Sequence, residues 1–303
     1  MLKRAYLLLI LSGLSICALG QSHPTARPRI LGIDHVSFYT TAPEGVKKLY
    51  GELLGLSSAG PVESGQTMRF LIGGRQWVGY SPAPDAKATN RMDHLAFTTD
   101  NIVALRRYLT GKGFRPSQIE GRSDHSLSFT MNDPEGHRIE FVEHGKSDAA
   151  VPASSAVSRR MIHAGFVVRD RETEDRFYRD ILGFRLYWHG HDKPDTTDDW
   201  VAMQVPDGTD WLEYMLNQPE QMSLDEAGEM NHISLGVADM KKAEAVLQSR
   251  GWKPHGDEEA EIGKDGKWQL DVYDPDRSRV ELMEFTNVRK PCCNDFTGPH
   301  PTE

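Results

Sequence analysis

The chain is poor in cysteine, in positive charge and in long apolar runs, and each shortage excludes something. Only three Cys occur in 303 residues. Cys17 lies in the leading apolar segment; Cys292 and Cys293 are neighbours near the C-terminus. A ring closed between adjacent cysteines is strained, so no disulfide framework is expected to hold this fold. Residues 287–303 read as a frayed tail carrying thiols. Lys and Arg number 35 against 44 Asp and Glu, a formal charge of -9. Losing Lys3 and Arg4 with a cleaved leader would take it to -11. So acidic a surface argues against nucleic acid and anionic membrane as partners. It leaves a small-molecule partner, whose pocket need not share the surface charge. Pairing of chains into a homodimer stays open at this level.

The one long apolar run, Ala5 to Ile16, is shorter than the ~20 residues a membrane span needs. Lys3 and Arg4 precede it, and Ala18-Leu19-Gly20 follows as a small-x-small cleavage site before Gln21. Residues 1–20 therefore read as a signal peptide and the mature protein as periplasmic or secreted. Bulky Ile16 argues against Cys17 as a lipid attachment site.

What the chain does have is one phrase written four times. Ile33-Asp34-His35-Val36-Ser37-Phe38 returns as Met92-Asp93-His94-Leu95-Ala96-Phe97, as Met161-Ile162-His163-Ala164-Gly165-Phe166, and inside Met230–Asp239 as Asn231-His232-Ile233-Ser234-Leu235. Side chains alternate along a strand, so each copy sets a His opposite its apolar row. A helical pattern follows each copy. Val46, Leu49, Tyr50, Leu53 and Leu54 recur at helical spacing before Gly55; Ile102, Leu105 and Leu109 follow Asp100 as cap; Phe177 and Ile181 follow Asp170; Met240, Ala243, Val246 and Leu247 follow Asp239. Short strands complete each unit, near Met68–Ile72 and Gln76–Tyr80, Ser126–Met131 and Arg138–Glu143, Trp200–Val205 and Trp211–Leu216, Trp268–Tyr273 and Arg279–Phe285. Asp133-Pro134-Glu135-Gly136 has type I turn chemistry.

Repetition at this period predicts an α+β fold of four βαβββ units, too small to close singly, paired into two curled half-barrel sheets with the helices outside. The boundaries read as leader 21–29, N-terminal lobe 30–145, linker 146–159, C-terminal lobe 160–286 and tail 287–303. The His faces would line clefts.

Carboxylates recur at a fixed distance. His232 precedes Glu281 by 49 residues, His94 precedes Glu140 by 46 and His163 precedes Glu213 by 50. Each acid sits between large apolar neighbours in a strand, where an unpaired charge is costly. Imidazole with carboxylate suits a divalent metal. Matching Trp77-Val78-Gly79-Tyr80 to Trp211-Leu212-Glu213-Tyr214 puts Gly79 where the first unit would carry its acid. The C-terminal lobe thus offers His163, Glu213, His232 and Glu281, and the N-terminal lobe His35, His94 and Glu140.

This pattern resembles the vicinal oxygen chelate superfamily, which includes glyoxalase I, extradiol dioxygenases and bleomycin-resistance-like proteins. The resemblance spans about residues 30–145 and 160–286. By likeness to glyoxalase I, the first set implies four ligands to a divalent ion (Fe, Zn, Ni, Mn or Co) that binds a substrate through adjacent oxygens and stabilises an enediolate-like anion, with Glu213 or Glu281 as base. Without Glu213 the set resembles the two-His-one-carboxylate triad of extradiol dioxygenases. Those enzymes place a Tyr three residues before the Asp-Pro turn, where this chain has Asp271, and a His upstream that Ile262–Leu270 lacks. Export argues against glutathione- or coenzyme A-dependent members. A non-catalytic binder of the bleomycin-resistance kind is the alternative.

The remaining candidates read as structural: His125 as a strand-edge residue, His189 and His191 in a solvated loop, Trp200, Trp211 and Trp268 as core, and 257–261 as an acidic loop.

Overall fold

The computed structural model describes residues 26–145, 153–194, 197–254 and 259–303. The expected signal peptide, part of the leader, linker residues 146–152 and Asp257-Glu258 lie outside the described residues.

Each lobe is one eight-stranded sheet. In the first, β1 (Ile30–Thr40), α1 (Pro43–Lys47), β2 (Ser57–Ala59), β3 (Met68–Gly73) and β4 (Gln76–Pro82) form one unit. β5 (Met92–Thr99), α2 (Ile102–Gly111), β6 (Glu120–Gly121), β7 (Leu127–Asn132) and β8 (Arg138–Glu143) form the next. The strand order is β2-β3-β4-β1-β5-β8-β7-β6, so the two His-bearing strands β1 and β5 lie antiparallel at the centre. The second lobe repeats this with β9 (Met161–Val167), α3 (Arg171–Asp175), β10 (Arg185–Gly190), β11 (Trp200–Gln204), β12 (Trp211–Met215), α4 (Leu224–Met230), β13 (His232–Val237), α5 (Met240–Ser249), β14 (Glu261–Ile262), β15 (Trp268–Tyr273) and β16 (Arg279–Glu284). Its order is β10-β11-β12-β9-β13-β16-β15-β14. Four βαβββ units in two curled sheets are the architecture the repeats predict.

The apolar rows of both lobes, from Ile30 to Leu282, join one continuous buried core with the helices. Phe97 meets Phe184 and Phe114 meets Phe177 across the lobes, with ring centroids 5.3 and 5.0 Å apart. Buried aromatic pairs contribute beyond their area. The Asp-Pro turns dock on the opposite lobe. Tyr178 donates to Asp133 Oδ2 at 3.1 Å and Tyr80 to Asp274 Oδ2 at 3.0 Å. With Pro at the second position, Gly136 N returns to Asp133 O at 3.2 Å, closing the expected turn.

Local details depart from the sequence reading. The cap of α2 is Asn101, whose side chain accepts from Ala104 N at 2.9 Å; Asp100 pairs with Arg29 instead. Asp170 and Asp239 cap α3 and α5 as expected. After α1 and α3 the chain widens into π turns, with Leu54 N bonding Leu49 O and Leu182 N bonding Phe177 O. Met230 ends a helix, α4, that the hydrophobic pattern does not reveal, although Ser223 and Glu226 close a capping box at its start.

The tail is the larger correction. Residues 287–303 are not frayed. Thr297 N donates to Tyr187 O at 2.9 Å, Gln204 Nε2 to Pro299 O at 2.9 Å, and Cys292 N to Lys264 O at 2.8 Å. Phe296 packs on Tyr187 at 4.8 Å. Cys292 and Cys293 are joined to each other rather than held as thiols.

Candidate metal centres

Strand register builds the C-terminal centre. β9 runs beside both β12 and β13, and β13 beside β16. One row across the sheet reads Trp211, His163, Ser234, Glu281; the next reads Glu213, Gly165, His232. Side chains in one row share a face. Ser234 and Gly165, small residues in the middle of each row, leave the space above them open. His163, Glu281, Glu213 and His232 lean over it.

They meet there. His163 Nε2 is 3.1 Å from His232 Nε2 and 3.2 Å from Glu281 Oε2. Glu213 Oε2 lies 3.7 Å from His163 Nε2 and 3.4 Å from His232 Nε2. Both imidazoles are fully buried, Glu281 nearly so, and Glu213 faces the cavity. Three donors, from His163, His232 and Glu281, lie within 4.8 Å of one another. Glu213 is the looser fourth.

Several buried atoms here lack a hydrogen-bond partner among the described residues: Glu281 Oε2, His163 Nδ1, Ser234 Oγ and Lys267 Nζ. Native structures rarely leave such groups unpaired. Two imidazole nitrogens nose to nose beside an orphaned carboxylate oxygen form the donor set that a divalent ion completes. His232 Nδ1 sits 3.1 Å from Met230 O, which fixes that ring with Nε2 inward. Burial, and then its neighbours His232, Arg279 and Lys267, hold the His163 pKa well below the ordinary value. His163 is thus held neutral, the form in which an imidazole can ligate a metal. Burial pushes Glu281 well up despite Arg279, whose guanidinium is 3.8 Å away and also meets Asp271 at 3.3 Å.

The cavity over these residues measures about 390 Å³ and is walled by Tyr187, Trp188, Trp200, Trp211, Met215, Met230, Met283 and Phe296, with Glu213, Arg279 and Glu281 at its polar end. Trp200 and Trp211 therefore line the cleft rather than the main core, whereas Trp268 does pack against that core. His189 is on strand β10, with Nδ1 2.7 Å from Asp198 Oδ1, not in a solvated loop. Lys267 was missed by sequence reading. Its ammonium is buried 4.5 Å from the Trp211 ring centroid and 5.0 Å from that of Phe296. Burial lowers its pKa to about 8 against the pull of Asp265, Glu281 and Glu213.

The N-terminal lobe repeats the grid. One row is Trp77, His35, Ala96, Glu140 and the other Gly79, Ser37, His94. His35 Nε2 and His94 Nε2 are 3.2 Å apart, and Glu140 Oε2 is 3.3 and 3.4 Å from them. The gap at Gly79 is filled from elsewhere. Glu63, on the loop between β2 and β3, brings Oε1 to 3.1 Å from His35 Nε2 and 3.2 Å from His94 Nε2. The N-terminal set is thus four residues, not the three read from sequence. Burial opposes charge on His35, but Glu63, Asp34 and Glu140 outweigh it and raise its pKa to about 9. His125 lies in a tight turn, with φ of 65° and its N–H 3.0 Å from Arg122 O, not on a strand edge.

The profile of the "Glyoxalase/Bleomycin resistance protein/Dioxygenase superfamily" matches residues 32–141 and 160–282. No curated protein sequence matches the chain. Among solved structures, the 2,3-dioxygenase LapB from Pseudomonas sp. KL28 superposes with a TM-score of 0.65 at 16% identity, covering 91% of this chain and 96% of its own. Homoprotocatechuate 2,3-dioxygenase from Arthrobacter globiformis gives 0.63 at 16%, covering 88% and 84%. The E323L mutant of the Brevibacterium fuscum homoprotocatechuate enzyme gives 0.65 at 16%, covering 90% and 74%. At such identities the likeness is one of fold.

Proposed function

This chain belongs to the glyoxalase/bleomycin resistance protein/dioxygenase superfamily, and from that premise we propose that its C-terminal lobe is a metal-dependent active site for a small molecule bearing two neighbouring oxygens. The observation that carries this reading is the convergence of His163, Glu213, His232 and Glu281 around an orphaned buried acceptor. A divalent ion held by these four would polarise the substrate's oxygens and favour loss of a neighbouring proton.

The reaction class we assign is proton transfer, an isomerase or lyase. Glu213 reaches both imidazoles, so His163, Glu213, His232 and Glu281 would together hold the ion, which would supply a Lewis acid for the substrate's oxygens. Glu213 is also the more exposed of the two carboxylates at that end of the cavity, placed to take a proton from a substrate carbon. Glu281, buried beside Arg279, stays put. The aromatic side of the wall suits a flat substrate body, and the opposite side, with Glu229, Gln269 and Asp271, suits its polar groups. Lys267, behind the Trp211 and Phe296 rings, supports the wall rather than touching the cavity. Asp271, tied to Arg279, stands where an extradiol enzyme carries its Tyr.

Oxygen-dependent ring cleavage is the second reading, favoured by the tighter grouping of His163, His232 and Glu281. A panel assay separates the two. Metal-loaded protein incubated in deuterated water with α-hydroxyketones should exchange the carbon-bound proton, and Glu213→Gln should slow exchange by roughly 10²- to 10⁴-fold. Oxygen uptake on catechols without exchange would select ring cleavage. Ligand binding without metal, unchanged in Glu281→Ala, would select a non-catalytic binder.

The reading includes export, supported by residues 1–20. The exported protein should begin at Gln21; an intact Met1 on the active protein would overturn that part.

A further inference from the structure

We propose that the N-terminal lobe holds a second divalent-metal site, made by His35, Glu63, His94 and Glu140, whose open side takes an oxygen-rich anion rather than an apolar substrate.

The tautomers carry the first half. His35 Nδ1 lies 2.7 Å from Asp34 Oδ1, and His94 Nδ1 lies 2.8 Å from Asp93 Oδ2. A carboxylate fixes the ring proton on Nδ1, the arrangement that backs metal-bound histidines. Both Nε2 lone pairs then point at one another, 3.2 Å apart, with two carboxylates 3.1 to 3.4 Å away. With neutral rings, two imidazole lone pairs and two carboxylates converge on one point, a donor set that a divalent ion would complete; without the ion, ring protons and Arg122 balance the carboxylates instead.

The backing acids are themselves held. Asp34 accepts from Thr98 Oγ1 at 2.9 Å and touches His144; Asp93 accepts from Tyr39 OH at 2.6 Å and pairs with Arg138 at 3.2 Å. The charge count agrees. Five carboxylates, Asp34, Glu63, Asp93, Asp124 and Glu140, face three guanidiniums, Arg69, Arg122 and Arg138. Neutral imidazoles leave two negative charges, which one divalent ion matches.

Delivery of Glu63 is built into the fold. Gln66 accepts from Val62 N at 2.8 Å, and its Nε2 lies 2.3 Å from where a β-carbon at position 79 would stand. Ser37 Oγ donates to Glu63 Oε2 at 3.0 Å. The glycine that removes a ligand from the strand thus makes room for the loop that returns one.

The second half rests on the cavity. About 450 Å³ opens over Glu63, His94 and Glu140. Its wall sets Arg122 and Arg138 against Asp93 and Glu120, with Ser64, Ser81, Ser128 and Thr130 and a single aromatic, Phe129, so an anion would depend on the ion and Arg122 together. Arg122 bonds Glu63 Oε1 at 2.7 Å and touches Glu140, so it sits beside the open position of the ion. Guanidinium next to a metal suits an anion that chelates through oxygen. The C-terminal cavity, walled by Trp and Phe, suits the opposite chemistry.

The test is Co²⁺ titration of metal-free full-length protein, read by dialysis and visible absorption, with oxalate as the anion probe. Wild type should take two ions. His232→Ala should keep one, and adding Glu63→Gln to it should weaken that ion roughly tenfold or more. Oxalate should shift the spectrum of the ion that His232→Ala retains. Arg122→Ala on that background should keep the ion and lose the shift. A folded His232→Ala protein that binds no ion would overturn the site, with protonated imidazoles in its place. A shift that survives Arg122→Ala would overturn the anion assignment. If His232→Ala does not fold, anomalous scattering from Mn²⁺-soaked wild-type crystals decides, by a peak or no peak between His35 and His94. A wild type that takes only one ion, with His232→Ala keeping it, would instead count against the proposed active site and leave the N-terminal site standing.

Discussion

The imidazole of His232 lies across Gly165: a β-carbon built at Gly165 would stand 2.1 Å from His232 Cε1 and 2.6 Å from its Nδ1. The two residues are direct cross-strand partners between β13 and β9. Real β-carbons do not approach that closely. The ring reaches the centre of the sheet because the strand beside it is bare at that point.

Gly165→Ala therefore removes a ligand without touching one. The methyl group must push the ring off its place, because backbone on both sides is fixed in the sheet. The expected result is loss of one metal equivalent, as in His232→Ala, with the N-terminal centre unaffected. Dialysis against Co²⁺ checks it; unchanged stoichiometry and affinity would show that the ring has another way in.

Gly79→Ala should act on the other lobe. Its β-carbon would fall 2.3 Å from Gln66 Nε2 and 2.6 Å from Trp77 Cζ3. Overpacking of this kind costs about 1–3 kcal/mol. Urea unfolding should show that loss, and Co²⁺ affinity of the N-terminal centre should fall as the Glu63 loop is displaced. Gly79→Glu should not restore a strand-borne ligand, for the same reason.

A pH effect is expected from Glu174, buried where the lobes meet. Oε1 accepts from Glu135 N at 3.0 Å, while Oε2 has no partner among the described residues. Burial and the neighbouring Asp133 raise its pKa from 4.5 to about 8. In that window the folded state holds a proton that the unfolded state has lost, so stability falls as pH rises through it. Glu174→Gln imitates the protonated form. Its melting temperature should equal that of wild type near about pH 5 and exceed it near about pH 9. A variant less stable than wild type at the higher pH would contradict this.

The tail is predicted to wall the cleft. Deleting 287–303 removes Phe296 from the cavity and its contacts with Tyr187 and Trp188. Tryptophan emission should shift to the red as water reaches Trp188 and Trp211, and the melting temperature should drop. An unchanged spectrum would mean the cavity is closed without the tail.

Much of this was legible because it is periodic. The four His phrases announce strands by alternation, and the Asp-Pro turns and the caps Asp170 and Asp239 punctuate them. The grid of two rows then follows from pairing like units. What was illegible depends on contacts distant in sequence. Glu63 sits in an aperiodic loop, and its value appears only once Gly79 and Gln66 are side by side. Thr297 and Asn294 look like tail until Tyr187 and His189 present their carbonyls. Lys267 looks like one more surface lysine until the Trp211 and Phe296 rings close around it. Asp100 and Asn101 are both able caps, and only the geometry at Ala104 N selects the second. The capping box at Ser223 was visible but lay outside any apolar period.

The most direct test of the C-terminal centre is metal content, measured by elemental analysis after reconstitution, in wild type against His232→Ala and Glu281→Ala. If His163, Glu213, His232 and Glu281 hold one ion, each variant should contain one transition-metal equivalent less than wild type while keeping its fold by circular dichroism. Folded variants with the full wild-type content would contradict that assignment.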